Sequence, residues 1–171
     1  GIPPGPHFPA RLRPRRAGGP GERCRGGVAG GTILRRAHMI RANEVVECLR
    51  RAGFELFTGV PCSYLTPLID TVIDSTGIRY VGAANEAEAV GIGFGAWFGG
   101  KKPALILATS GLLVATYHLA RINLLHEVPV LVVIPYRGDI GDPRWLGLYK
   151  KTTEPGLNAM DIPYRIVSRS A

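Results

Sequence analysis

From position 40 onward, apolar residues recur in two alternating rhythms. Val45, Val46, Leu49 and Ala52 fall at helical spacing and stop at Gly53, which predicts a helix over 41–52. A compact run at 55–60, closed by Pro61, predicts a short buried strand. Leu65, Leu68, Ile69, Val72 and Ile73 mark one side of a second helix, with Ser63 as its expected cap. The alternation continues with a strand at 78–83 and a helix rich in small residues at 85–98. A strand at 104–109, a long helix at 112–125 and a strand at 129–135 follow. Beyond that the pattern fades into a polar loop at 137–153, a short helix and a last strand at 164–167.

Strands alternating with helices predict an α/β fold: a parallel sheet with helices on both faces. The unbroken aliphatic stretches at 105–107 and 130–134 suit strands covered on both sides. Ligands of such sheets gather at the carboxyl ends of the strands. The loops at 59–63, 84–86, 109–111 and 136–139 therefore hold the informative residues.

Residues 1–38 behave differently. They contain nine Gly and six Pro and no hydrophobic period. They predict a disordered Arg/Gly/Pro-rich extension ahead of a domain over 39–171, with Met39 as the natural start. Eight Arg against one Glu give this segment +7 of the net +8, so the remainder is nearly neutral. A basic face built into a nucleic-acid-binding fold is not indicated; an Arg-rich tail that touches phosphates is the alternative. No stretch reaches the roughly 18 apolar residues that a membrane span needs. Cys24, Cys48 and Cys62 have neither redox nor metal-ligand spacing, which suits a reducing, cytoplasmic setting. His118 and His126 lack a third ligand nearby, so no metal site is read from them.

Glu86 follows a strand and opens a helix lined with small residues. The helix N-terminus favours its charge and burial opposes it. It is either a chemical group or a first-turn acid serving the helix dipole. Glu88, two positions on, faces away and reads as solvated or interfacial. Ala87, Gly91, Gly95 and Gly99 recur every four residues; glycine costs about 1 kcal/mol in a helix, so close approach of a backbone or cofactor is expected there. Ser110 and Gly111, between strand and helix, either hold a polar ligand edge or simply cap the helix. Arg137 either grips an anionic substrate or pairs with Asp139 or Asp142.

At these loops the sequence resembles the thiamine-diphosphate enzymes. More closely, it resembles the α subunit, or pyrimidine-binding domain, of sulfopyruvate and phosphonopyruvate decarboxylases. The pieces that carry the likeness are FTGVPCSYLTPLI (57–69), AANEAEAVGIGFGAWFGGKKPAL (83–105), TSGL (109–112), LLHEVPVLVVIPYRGDIGD (124–142) and IPYRIV (162–167). They keep the family's order over nearly all of 40–167. The resemblance implies that Glu86 hydrogen-bonds the aminopyrimidine of thiamine diphosphate and so promotes its activation. It places Val60, Pro61, Thr109, Ser110, Gly111 and Leu112 around the cofactor, with Ser63, Asn85 and Arg137 toward the substrate. The substrate it implies is an anionic 2-oxo acid, with another thiamine-diphosphate decarboxylase or carboligase, or a non-catalytic subunit, as alternatives.

The chain departs from the family at Cys62, where Asp is common, and at Leu113, Val114 and Tyr117, where Gly and Asn are usual. It also lacks the Gly-Asp-Gly and downstream Asn that hold Mg²⁺ and the diphosphate. The resemblance therefore implies a diphosphate-binding β subunit that carries the metal, in a hetero-oligomer with more than one α chain.

Overall fold

A computed structural model of the chain describes residues 40–138 and 142–167. The expectations for residues 1–38 and for Asp139 lie outside the described residues. Four parallel strands form one sheet: β1 (Leu56–Gly59), β2 (Arg79–Gly82), β3 (Pro103–Ile106) and β4 (Leu131–Val133). Their order is β2-β1-β3-β4. Helices α1 (Ala42–Arg51) and α2 (Thr66–Asp74) flank β1, α3 (Glu86–Phe98) joins β2 to β3, and α4 (Thr109–His118) leads to β4. A last helix, α5 (Gly147–Ala159), follows β4.

Two apolar layers sit on the two faces of the sheet, sorted by the alternation of side chains along each strand. Ala104 and Ile106 join Phe57 with Val46 of α1 and Leu68, Ile69 and Val72 of α2. Leu105 and Leu107 join Ala89 and Val90 of α3, Leu112 and Ala115 of α4, and Leu157 of α5. Residues 104–107 are wholly buried, as an aliphatic run in a central strand requires. The run at 130–134 differs from the expectation. β4 is the edge strand, and its residues are half-buried.

Three further expectations are corrected. Ser63 does not cap α2. It opens a single 3-10 turn, Ser63–Leu65, and Leu65 precedes α2 without a side-chain cap bond. The polar stretch at 137–153 is not loop throughout, because α5 begins at Gly147. Gly147, Pro155 and Gly156 conceal that helix in the sequence, while burial of Thr153 and Leu157 holds it. The strand at 164–167 does not form: Ile162 packs on the core, and Tyr164 donates a 2.7 Å bond to Glu154 of α5 instead of pairing with β4.

The helix expected over 112–125 widens after His118 into a π-helical turn, Leu119–Leu124. Leu125 N–H there reaches back five residues to the Ala120 carbonyl. Asn123, buried in that turn, donates to the Val128 carbonyl at 3.1 Å and ties the helix end to the approach to β4. No helix among the described residues is long and apolar enough to cross a membrane.

Candidate functional site

The chain passes from β1 outward to β2, then crosses back over β1 to β3. The switch point of the sheet thus lies between β1 and β3, where a crevice opens beyond the carboxyl ends. The two strands meet closely there. A Cβ on Gly59 would collide with the Ile106 carbonyl, so glycine is required at the end of β1. Tyr80 of β2 fixes the same exit by donating to the Gly59 carbonyl at 3.2 Å, and burial pushes its hydroxyl above the ordinary tyrosine range.

Glu86 is the first residue of α3, and its neighbours do the capping. Asn85 Oδ1 accepts from Glu88 N–H at 2.9 Å, and Glu88 Oε2 accepts from Ala84 N–H at 2.6 Å. This reciprocal pair satisfies one orphan donor of the helix start, the Glu88 N–H, and ties the preceding Ala84 N–H to the same turn. Glu88 is exposed as expected, but it has a cap role that the Asn-x-x-Glu spacing could have revealed. Glu86, relieved of that duty, is half-buried and crosses to α4. Its carboxyl group lies against Gly111, where a Cβ would sit 2.6 Å from the Glu86 Cδ. Only glycine leaves this carboxylate its place.

Ala108 precedes α4, so Thr109, Ser110 and Gly111 form its first turn, whose N–H groups lack helical acceptors. The Thr109 hydroxyl is committed elsewhere: it donates to the Pro135 carbonyl at 2.6 Å and binds the start of α4 to the end of β4. Leu112 is 3% exposed and packs in the α3–α4 core. Ser110 is exposed and Gly111 carries the Glu86 contact, so these two remain to meet a ligand. A carboxylate held beside free backbone donors, at two converging helix starts, can receive and return a proton at a polar ring edge.

The other candidates lie in the loops after β1, β2 and β4. Val60 is half-buried; Pro61, Ser63 and Asn85 are exposed. Arg137 is neither solvated nor free. It pairs with Asp142 at 2.8 Å, and its guanidinium stacks over the Tyr64 ring at 3.5 Å. Asp142 is one of the two acids expected beside it; Asp139 lies outside the described residues. Tyr64 carried no sequence signal; only the folding of the β1 exit loop toward the loop after β4 brings it there.

The small-residue stripe of α3 is placed differently from the expectation. Gly91 and Gly95 face open space, with nothing of this chain within 4 Å of a would-be Cβ. The glycine that packs is Gly93, whose Cβ would meet Leu105 Cδ1 at 2.7 Å. Leu113, Val114 and Tyr117, the residues that depart from the family, are exposed on α4 at 44%, 54% and 67%.

Comparison with known proteins agrees with this fold. A family model, described as the thiamine pyrophosphate enzyme, N-terminal TPP binding domain, matches residues 39–135. Phosphonopyruvate decarboxylase of Streptomyces viridochromogenes is 41% identical over 106 residues, which cover 61% of this chain and 26% of that protein. Sulfopyruvate decarboxylase subunit alpha of Methanococcus maripaludis is 27% identical over 127 residues, covering 74% of this chain and 76% of that one. The chain thus spans about a quarter of the former and three quarters of the latter. Among solved structures, 2-oxoglutarate:ferredoxin oxidoreductase from Magnetococcus marinus superposes with a TM-score of 0.52 at 26% identity. That match covers 58% of this chain and 18% of the other.

Proposed function

Since the chain belongs to the thiamine pyrophosphate enzymes, through their N-terminal TPP binding domain, we propose that it is the α subunit of a two-chain decarboxylase. Its substrate is an anionic 2-oxo acid, sulfopyruvate or phosphonopyruvate. The carboxylate leaves as carbon dioxide, and the electron pair of the broken bond ends, with a proton, in the C–H bond of the aldehyde. Thiamine diphosphate supplies the electron sink for this step.

The observation that carries the reading is the Glu86 carboxylate lodged against the Cβ-less Gly111 at the switch point. A carboxylate so placed would suit the edge of an aminopyrimidine. Glu86 would hold a proton in line with a ring nitrogen, and the free N–H groups at Ser110 and Gly111 would fix the opposite polar edge. Val60 and Pro61 wall the cofactor side. Ser63, Asn85 and Arg137 line the approach of the substrate. Thr109 acts at one remove, by tying β4 to α4.

The diphosphate and its Mg²⁺ belong to a β subunit that carries the Gly-Asp-Gly and Asn residues this chain lacks. The name of the Methanococcus relative, a subunit alpha, supports a partner. So does the outer face of α3 and α4, where Gly91 and Gly95 lie open beside exposed Phe98, Val114 and Tyr117. The assembly, with more than one α chain, works in the cytoplasm.

The test is decarboxylation of sulfopyruvate and phosphonopyruvate with thiamine diphosphate and Mg²⁺, by this chain alone and with its β subunit. Activity is expected only in the pair. Glu86→Gln should lower it by about 10²–10⁴-fold while the complex still assembles. Unchanged turnover in Glu86→Gln would sink the reading.

A further inference from the structure

Arg137, Tyr64 and Asp142 form a cluster that the reading above uses only in part. Arg137 and Asp142 are 17% and 19% exposed, so their 2.8 Å pair is largely shielded from water. The guanidinium plane rests on the Tyr64 ring at 3.5 Å, a stacking that a planar cation makes well. Asp142 is anchored on its other oxygen: Gly138 N–H donates to Oδ2 at 2.7 Å. Gly138 itself has φ +94°, and a Cβ there would strike the Leu146 carbonyl and Lys150 N–H at the start of α5. The carboxylate is thus held by a backbone that only glycine can adopt, and the guanidinium by an aromatic platform. Yet Arg137 is not saturated. Nη2 reaches Asp142, while Nε is buried with no acceptor. A buried guanidinium donor without a partner is costly unless something else supplies an oxygen.

We propose that Tyr64, Arg137 and Asp142 are the charge-selecting subsite of the enzyme: a preset anion receptor with its own counter-ion. This deepens the decarboxylase reading and rests on it. Tyr64 orients the guanidinium. The sulfonate or phosphonate of the substrate supplies an oxygen to the unfilled Nε donor. Asp142 sets how strongly an anion is preferred, because its negative charge opposes the incoming one. A 2-oxo acid without the second anion does not fill this donor. Selection therefore comes from a buried donor left unpaired with the wrong substrate, a discrimination larger than shape alone provides. Tyr64 and Asp142 are positioning residues, acting through Arg137.

The test compares kcat/KM for phosphonopyruvate with kcat/KM for 2-oxobutyrate, in the α–β complex. Asp142→Asn should raise the ratio of anionic to neutral substrate by about tenfold, and Arg137→Gln should lower it by at least as much. Tyr64→Ala should lower the ratio more than Tyr64→Phe, which keeps the ring. A ratio that falls or stays fixed in Asp142→Asn overturns the proposal. A second readout needs no turnover. Phosphonoacetate should raise the Tm of the full chain above a chloride control of equal ionic strength, and Arg137→Gln should abolish that rise. An equal rise in both proteins overturns the subsite. A complex that decarboxylates neither acid, while its α chain still shows the Arg137-dependent rise, counts against the decarboxylase reading and not against the subsite.

Discussion

α1 and α2 cover one face of the sheet and turn charged residues outward. Glu47 there pairs with Arg50 at 2.8 Å and with Arg51 at 3.5 Å, all in solvent. α3 and α4 cover the other face, and their outer side is of another kind. Phe98 is 65% exposed, Val114 54% and Tyr117 67%, and Gly91 and Gly95 leave a bare backbone groove. A shallow depression lined by Tyr117, Ala120, Arg121 and Leu125 continues this side past α4. Both layers bury an inner face equally well, so core packing does not distinguish them. The first outer face carries paired charges beside an exposed Ile73; the second gathers aromatic and bare-backbone surface of the kind found in interface cores. Glu86 and Gly111 lie at the starts of these same two helices.

The largest test of this contrast beyond the active-site variants is charge placed on the outer face. Tyr117→Lys or Val114→Glu should weaken binding of the proposed β subunit at least tenfold, about 1.4 kcal/mol. The stability of the isolated chain should change by no more than about 0.5 kcal/mol, since both side chains face solvent there. Glu47→Lys on α1 is the control and should leave association unaltered. Equal effects from the two faces would break the comparison.

Glycines within one helix sharpen it further. Gly95→Ala should stabilise the isolated chain by roughly 0.5–1 kcal/mol, because a helix gains from alanine and no atom opposes the new methyl. Gly93→Ala should instead destabilise by about 1 kcal/mol or more, because the methyl meets Leu105 in a packed core. Urea unfolding measures both. In the complex the sign for Gly95→Ala should reverse, with weaker association, if a partner backbone fills the groove.

The smallest effect lies in the α5 tether. Glu154 accepts from Tyr136 at 2.6 Å and Tyr164 at 2.7 Å, and these bonds hold its carboxyl below the ordinary value of 4.5. A depressed acid contributes stability above its unfolded value and loses it as pH falls through the folded one. Tyr164 is raised above 10.0 by its bond to Glu154, so its share persists below that pH and is lost as pH rises through the folded value. Proteolysis of residues after α5 should accordingly increase below about pH 4.5 and again above about pH 10. Tyr164→Phe should flatten both limbs.

Much of this molecule was legible in advance because two kinds of information are local. Periodicity along 41–135 marked four strands and four helices, since burial on one side of a helix or both sides of a strand leaves a repeating trace. The loops after the strands marked Glu86, Ser110, Gly111 and Arg137, since a parallel sheet puts all its strand ends on one edge. α5 was illegible over its first half because its support is not local: Leu157 is buried among residues of α3, α4 and β3, against the preferences of Gly147, Pro155 and Gly156.

Sequence alone thus determined the fold class, the family resemblance and which residues sit in the loops after the strands. Tertiary structure decided the pairings. It set Glu86 against Gly111, spent Thr109 on Pro135 and Leu112 on the core, and turned Arg137 onto Tyr64 and Asp142. It also decided that Gly93 packs while Gly91 and Gly95 do not. Each of these depends on distances between segments far apart in the chain, and hydrophobic period records only which side of an element is buried, not what lies across from it.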